Sequence, residues 1–201
     1  MRWSAKFLRP AVSAAEFPKA SLPEVAFLGR SNVGKSSLLN ALVGAKAAKV
    51  SSTPGRTRAI NFFEVSDGRR GSEMMFADLP GYGYAKISKS ISAEWPKFIE
   101  PYLATREMLA LCVCIVDSNV PVRQNDRQLL DWLRSVNREL LVVATKVDRL
   151  SGNERTRNLA ALKRDLETEE ILAVSSKTGL GIAELWGRIG EAGNREQGLR
   201  D

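Results

Sequence analysis

The stretch GRSNVGKS, residues 29–36, decides how the rest of the chain is read. It fits the pattern G-x-x-x-x-G-K-[ST], and its setting gives the match its weight. Directly before it lies VAFLG (25–29), an apolar run of strand type. Directly after it, GKSSLLNALVG (34–44) has helical spacing. A glycine-rich turn between strand and helix gathers unpaired backbone amides at the positive end of the helix dipole, where an anion is stabilised. Gly29 and Gly34 let the backbone wrap a phosphate chain. The amides of Asn32, Val33, Gly34 and Lys35 are expected to face a β-phosphate. Lys35 is expected to reach the β- and γ-phosphates, and the Ser36 hydroxyl to ligate Mg²⁺.

Outward from this loop, strand-like and helix-like segments alternate. INFFEV (60–65) and EMMFADL (73–79) are separated by SDGRRGS, a turn-rich link that suits a hairpin. ISAEWPKFIEPYLATR (91–106) has helical spacing, with Pro96 near its front and Pro101 predicting a kink or break. MLALCVCIVD (108–117) precedes RQNDRQLLDWLRSV (123–136), whose Leu129, Leu130 and Leu133 make an apolar face. ELLVVATK (139–146) precedes NERTRNLAALKRDLE (153–167), and ILAVSS (171–176) precedes GIAELWGRIGEA (181–192). The alternation predicts a single α/β domain: a mostly parallel six-stranded sheet with one antiparallel edge strand and helices on both faces. The expected division is an N-terminal arm over 1–21, the domain over 22–190 and a frayed polar tail over 191–201.

Composition narrows the class. With 44% hydrophobic and 26% charged residues, the 201-residue chain can build one core and is short for two. The formal net charge of +7 suggests a polyanionic partner. The two cysteines, Cys112 and Cys114, sit at alternate positions of one apolar run and read as reduced core residues, which fits a cytoplasmic compartment. They lack further ligands for zinc, since the chain has no histidine. No apolar stretch is long enough to span a bilayer, and the start, MRWSAKFLRPAVSAAEF, lacks the apolar core of a secretory signal.

Three further loops carry chemistry. DLPG (78–81) ends a strand, so Asp78 is expected in the Mg²⁺ shell and the Gly81 amide at the γ-phosphate. ATKVD (144–148) ends another. The Asp148 carboxylate can accept from the N1–H and exocyclic amino group of guanine, a pair that adenine does not offer. The Lys146 stem can lie over the ring. VSSK (174–177) ends the last strand, and the Ser176 amide can donate to guanine O6. Both base-reading loops fall at strand C-termini, where open α/β sheets bind ligands. An adenine-nucleotide kinase is disfavoured by Asp148 and Ser176. The long segment GAKAAKVSSTPGRTRA (44–59) is expected to supply a threonine that closes over Mg²⁺, Thr57 first and Thr53 second.

Together these elements look like a small GTPase, and PEVAFLGRSNVGKSSLLNAL, STPGRTRAINFFEV, DLPGYGYAK, TKVD and VSSK resemble the EngB family of bacterial ribosome-assembly GTPases over roughly residues 22–190. The resemblance implies a single G domain that binds GTP and GDP, needs Mg²⁺ and acts in maturation of the large ribosomal subunit. Loss of such proteins is associated with defects in growth and septation. By the same resemblance, Ser36 and Thr57 match the Mg²⁺ ligands, and the metal set expected is Ser36, Thr57 and Asp78, the last directly or through water. The nucleotide segments are Gly29, Arg30, Ser31, Asn32, Val33, Gly34, Lys35, Ser36 and Ser37; Gly55, Arg56, Thr57, Arg58 and Ala59; Asp78, Leu79, Pro80 and Gly81; Thr145, Lys146, Val147 and Asp148; and Val174, Ser175 and Ser176. Thr145 stands where most GTPases carry Asn, as it does in the resembled family.

One position departs from the Ras-like pattern. After Gly81, where those enzymes place a water-orienting Gln, this chain has Tyr82. Without Gln or His, the catalytic set is expected to be Lys35, Thr57, Gly81 and Asn32. Related GTPases with Asn at this loop position can use K⁺ there, so either Asn32 helps to hold a K⁺ ion that offsets transition-state charge, or it only shapes the loop. The expected partner is the large ribosomal subunit or its precursor, met as a monomer through rRNA phosphates. Lys6, Arg9, Arg69, Arg70, Lys86 and Lys89 are the candidate contacts. Trp95 and Trp132 are expected as core or groove residues rather than base-stacking platforms. The alternative is a signalling-type GTPase with a protein effector at the division apparatus.

Overall fold

A computed structural model of the chain describes residues 3–44, 59–68, 73–82 and 97–198. Its strands are β1 (Ser4–Ala11), β2 (Glu24–Gly29), β3 (Ile60–Ser66), β4 (Met74–Asp78), β5 (Leu109–Asp117), β6 (Leu140–Thr145) and β7 (Leu172–Ala173). Its helices are α1 (Lys35–Val43), α2 (Ile99–Thr105), α3 (Gln124–Ser135), α4 (Gly152–Asp165) and α5 (Ile182–Gly198). The sheet order is β1-β3-β4-β2-β5-β6-β7. β2 runs parallel to β4 and β5, β5 to β6, and β6 to β7, while β3 is antiparallel to both β1 and β4.

β2 and β5 are buried at every position, as central strands covered on both faces must be. Alternate residues enter two separate cores. Ala26, Leu28, Cys112 and Cys114 pack with Ile99, Leu103, Leu129 and Leu133 of α2 and α3. Val25, Phe27, Val113 and Ile115 pack with Leu38 and Leu42 of α1 and Leu185 and Ile189 of α5. Both cysteines are free thiols on the α3 side, as their spacing predicts. Burial pushes Cys112 up to about 12 and Cys114 well above the ordinary thiol value.

The expected fold class is the one observed, with differences at its margins. The sheet has seven strands, because the arm supplies β1. The antiparallel hairpin strand β3 is therefore internal, paired with β1 from Ser4↔Ser66 to Ala11↔Ile60. Phe7 meets Phe63 edge-on, with ring centroids 5.4 Å apart. Pro10 is tolerated because β1 is an edge and needs no donor on its open side. At the other margin α5 continues to Gly198, so the expected polar tail is largely helical. Elements of the fold thus pass the 22–190 limits on both sides. Pro101 breaks nothing: it is the third residue of α2, where a helix has no intrahelical partner for an N–H. α4 begins on a reciprocal cap, with the Ser151 and Glu154 side chains meeting each other's backbone amides.

The first strand and the last helix meet. Trp3 stacks on Trp186 at 4.3 Å, and the Trp186 indole donates to the Leu42 carbonyl of α1 at 2.9 Å.

Candidate nucleotide site

The phosphate loop leaves β2 at Gly29 and enters α1 at Lys35. A Cβ on Gly29 would lie 2.8 Å from the Ile115 carbonyl, so only glycine lets β2 and β5 approach this closely here. Gly34 holds φ +100°, a conformation that glycine adopts without steric cost. Asn32 also has positive φ, which Asn tolerates better than most residues. Val33 is buried beneath the loop and anchors it.

The base-reading loop is strapped to this one. The Thr145 hydroxyl donates to the Val33 carbonyl and lies 3.1 Å from that of Val116. Lys146 Nζ donates to the Asn32 carbonyl and to Asp117 Oδ2, each at 2.6 Å. With its head fixed at both points, the Lys146 stem is drawn across the loop, where the Gly34 position lies 3.7 Å from Lys146 Cε. Asp117, the last residue of β5, also accepts from the Asn119 amide and side chain. Its carboxyl is partly buried, yet these donors and Lys146 hold it below the ordinary carboxylate range.

Asp148 is oriented from the side. The Ser175 hydroxyl accepts from the amides of Lys177 and Thr178 and donates to Asp148 Oδ1 at 2.7 Å. That bond chiefly lowers the pKa of the exposed Asp148 carboxyl, keeping it an acceptor for paired N–H donors. Ser176 is half-buried beside it, and Val147 and Val174 are buried behind. At the phosphate end Lys35 pairs with Asp78, which brings the Asp78 carboxylate to the first residue of α1, the one before Ser36 in sequence. A hydroxyl and a carboxylate are hard oxygen donors of the kind Mg²⁺ takes.

The comparisons agree with this geometry. A family model described as 50S ribosome-binding GTPase matches residues 24–146. The probable GTP-binding protein EngB of Acidobacterium capsulatum is 66% identical, over 92% of this chain and 88% of that one. The chain belongs to the EngB family. A crystal structure of a probable GTP-binding protein EngB, 23% identical, shares the fold with a TM-score of 0.63 over 86% of this chain and 99% of that one. The structure of Era in complex with MgGDPNP and nucleotides 1506–1542 of 16S ribosomal RNA is 25% identical. It aligns with a TM-score of 0.67, over 83% of this chain and 55% of that one.

As an EngB-family protein the chain binds guanine nucleotide and hydrolyses GTP. Of the residues expected in the site, Gly29 to Ser37, Asp78 to Gly81, Thr145 to Asp148 and Val174 to Ser176 lie at or just after the C-terminal ends of β2, β4, β6 and β7, and Ala59 lies just before β3. Gly55, Arg56, Thr57 and Arg58, with Thr53, lie outside the described residues, as do Arg69, Arg70, Lys86, Lys89, Pro96 and Trp95. Trp132 packs half-buried against the core, as expected.

Two placements differ from the motif reading. The Arg30 side chain turns away from the loop mouth, 3.2 Å from Asp126 Oδ1. Tyr82 is buried, and its hydroxyl donates to the same oxygen at 3.0 Å. Burial, chiefly, and the nearby Asp126 raise that phenol well above its ordinary value, so it stays protonated. Asp117, Asn119 and Asp126 escape a motif reading because each acts through a residue distant in sequence. Only the position of Asp117 at the end of a buried strand, a ligand-facing place in such sheets, could have marked it.

Proposed function

We propose that this EngB-family GTPase is a cytoplasmic, monomeric nucleotide switch in assembly of the large ribosomal subunit, supporting normal growth and septation. The observation that carries the reading is the burial of Tyr82. The side chain at the water-orienting position is turned inward and held by Asp126, in a chain without histidine. Such a site binds GTP well and hydrolyses it slowly until a partner completes it. A net charge of +7 suits a partner made of RNA, and Lys6 and Arg9 stand exposed on the edge strand β1. The family description, a 50S ribosome-binding GTPase, favours that partner over a protein effector.

Within the site Asp148 and the Ser176 amide select guanine, with Lys146 along the ring. The loop amides and Lys35 hold the β- and γ-phosphates, and Gly81 registers the γ-phosphate. Ser36, Asp78 and Thr57 would hold Mg²⁺, which neutralises charge on the transferring phosphoryl group. Asn32, exposed at the loop tip, would help to hold K⁺, whose positive charge takes the place of an arginine finger.

GTP turnover in KCl and in NaCl at matched ionic strength, with and without purified large subunits, tests the reading. Acceleration by subunits, lost as salt rises, is expected, together with faster turnover in KCl. Indifference to the subunits at low salt would overturn the assembly role and turn the search to a protein effector. Equal rates in the two salts would remove K⁺ alone.

A further inference from the structure

The buried carboxylate of Asp126 joins three parts of the molecule. Its Oδ1 receives the Tyr82 hydroxyl at 3.0 Å and faces Arg30 Nε at 3.2 Å. Its Oδ2 accepts the Arg123 amide at 2.9 Å, closing the first turn of α3. Tyr82, Asp126 and Arg30 are 2%, 1% and 8% exposed, so the cluster works in a medium of low dielectric, where losing one partner is costly.

The backbone around Tyr82 is pinned to the same place. The Ser31 amide donates to the Tyr82 carbonyl at 3.1 Å, and the Leu79 amide to that of Phe27 at 3.2 Å. A Cβ on Gly81 would stand 3.1 Å from the Ser31 nitrogen, so this glycine lies directly on the phosphate loop. Gly81 is thus fixed on one side by its approach to Ser31 and on the other by the side chain that follows it.

We infer that Tyr82 is a positioning residue: through Asp126 and Arg30 it fixes the Gly81 amide against the phosphate loop, and so sets how well GTP is distinguished from GDP. The residue that replaces the water-orienting Gln is an anchor for the phosphate sensor. A loop that is already placed loses little freedom when a γ-phosphate arrives, and that saving appears as triphosphate affinity. The cluster also ties the sensor to the first turn of α3. The inference rests on the reading of Gly81 as the sensor of the γ-phosphate.

The test measures affinity for GDP and for a non-hydrolysable GTP analogue, with thermal stability, in Tyr82→Phe, Asp126→Asn and Gly81→Ala. Tyr82→Phe keeps the ring and removes only the hydroxyl. It is expected to weaken the analogue roughly tenfold while GDP affinity holds, the scale of one hydrogen bond to a charged acceptor. Asp126→Asn should move the ratio the same way. Gly81→Ala checks the sensor reading separately, since its methyl group must crowd Ser31. If Gly81→Ala changes the ratio and neither cluster variant does, the inference is overturned, even if both cluster variants melt earlier. If Gly81→Ala leaves the ratio intact, the sensor reading fails first.

Discussion

An arginine, a carboxylate and a tyrosine stand at each end of β2, and the two trios are built differently. At the N-terminal end Glu24 is wholly buried. Arg106 grips both of its oxygens through Nε at 3.0 and 3.1 Å, and Tyr102 donates to it at 2.9 Å. Arg106 also reaches the Pro18 carbonyl at 2.7 Å and lies 5.9 Å from the Phe17 ring centre. At the C-terminal end, beside the phosphate loop, the Tyr82 hydroxyl is aligned on Asp126, but Arg30 Nε has no aligned acceptor among the described residues. The first trio is saturated and forms a rivet. In the second a hydrogen bond holds Tyr82 and proximity of charge holds Arg30, whose Nε is the one left over among the described residues, which suits a joint beside a loop that must answer to phosphate.

The sharpest way to break this division is to look for leakage between the ends. Asp148→Asn should produce the largest effect, and at one end only. Its amide no longer matches the two guanine donors, so GTP affinity should fall by about 3–6 kcal/mol while xanthine nucleotides gain. The melting temperature should hold, because Asp148 is exposed. Isothermal titration with GTP and XTP reads the exchange, and undiminished GTP affinity would refute the base pocket.

Glu24→Gln addresses the opposite end. Removing one charge of a saturated buried pair strands Arg106, and stability should drop by about 3–5 kcal/mol in urea unfolding. The ratio of analogue to GDP affinity should stay where it was. A shifted ratio would mean that the two ends of β2 communicate and that the rivet is also a lever.

The smallest effect comes from alkaline pH and involves both ends. Burial, first of all, raises the phenols of Tyr82 and Tyr102 above their ordinary value, and it pushes Cys112 up to about 12. Above the ordinary thiol value the unfolded chain releases these protons while the folded chain keeps them. Stability is therefore intact at neutral pH and declines from roughly pH 9 toward 12, by about 2–3 kcal/mol at pH 10 from these three groups. Urea midpoints at pH 8 and pH 10 measure it, and an unchanged midpoint would mean that the thiols are not shielded.

Much of this was legible in the residues because it rests on local pattern. Strand and helix periods, the strand-loop-helix setting of GRSNVGKS and the order of the base-reading loops depend on neighbours in sequence. What stayed hidden depends on distant partners. Lys146 meets Asp117 across 29 positions, and Arg106 meets Glu24 across 82. β1 was hidden for another reason. An edge strand is half-exposed, so SAKFLRPA mixes cations, a proline and apolar residues without a clean alternation. The far end of α5, GNREQG, has too few apolar positions to declare itself helical; it continues a helix already anchored by Leu185 and Ile189.

The stacked pair Trp3 and Trp186 has a meaning for how the protein is made. Trp3 is translated long before Trp186, so the Leu42 carbonyl gains its indole donor only once α5 has been made. A growing chain can pair β1 with β3 once Ser66 has emerged. On the sheet face that α5 helps to cover, α1 can cover part early, against Phe27, while the part under Trp186, with Phe76, waits for α5. The second core is thus begun by α1 and completed only when α5 packs on it.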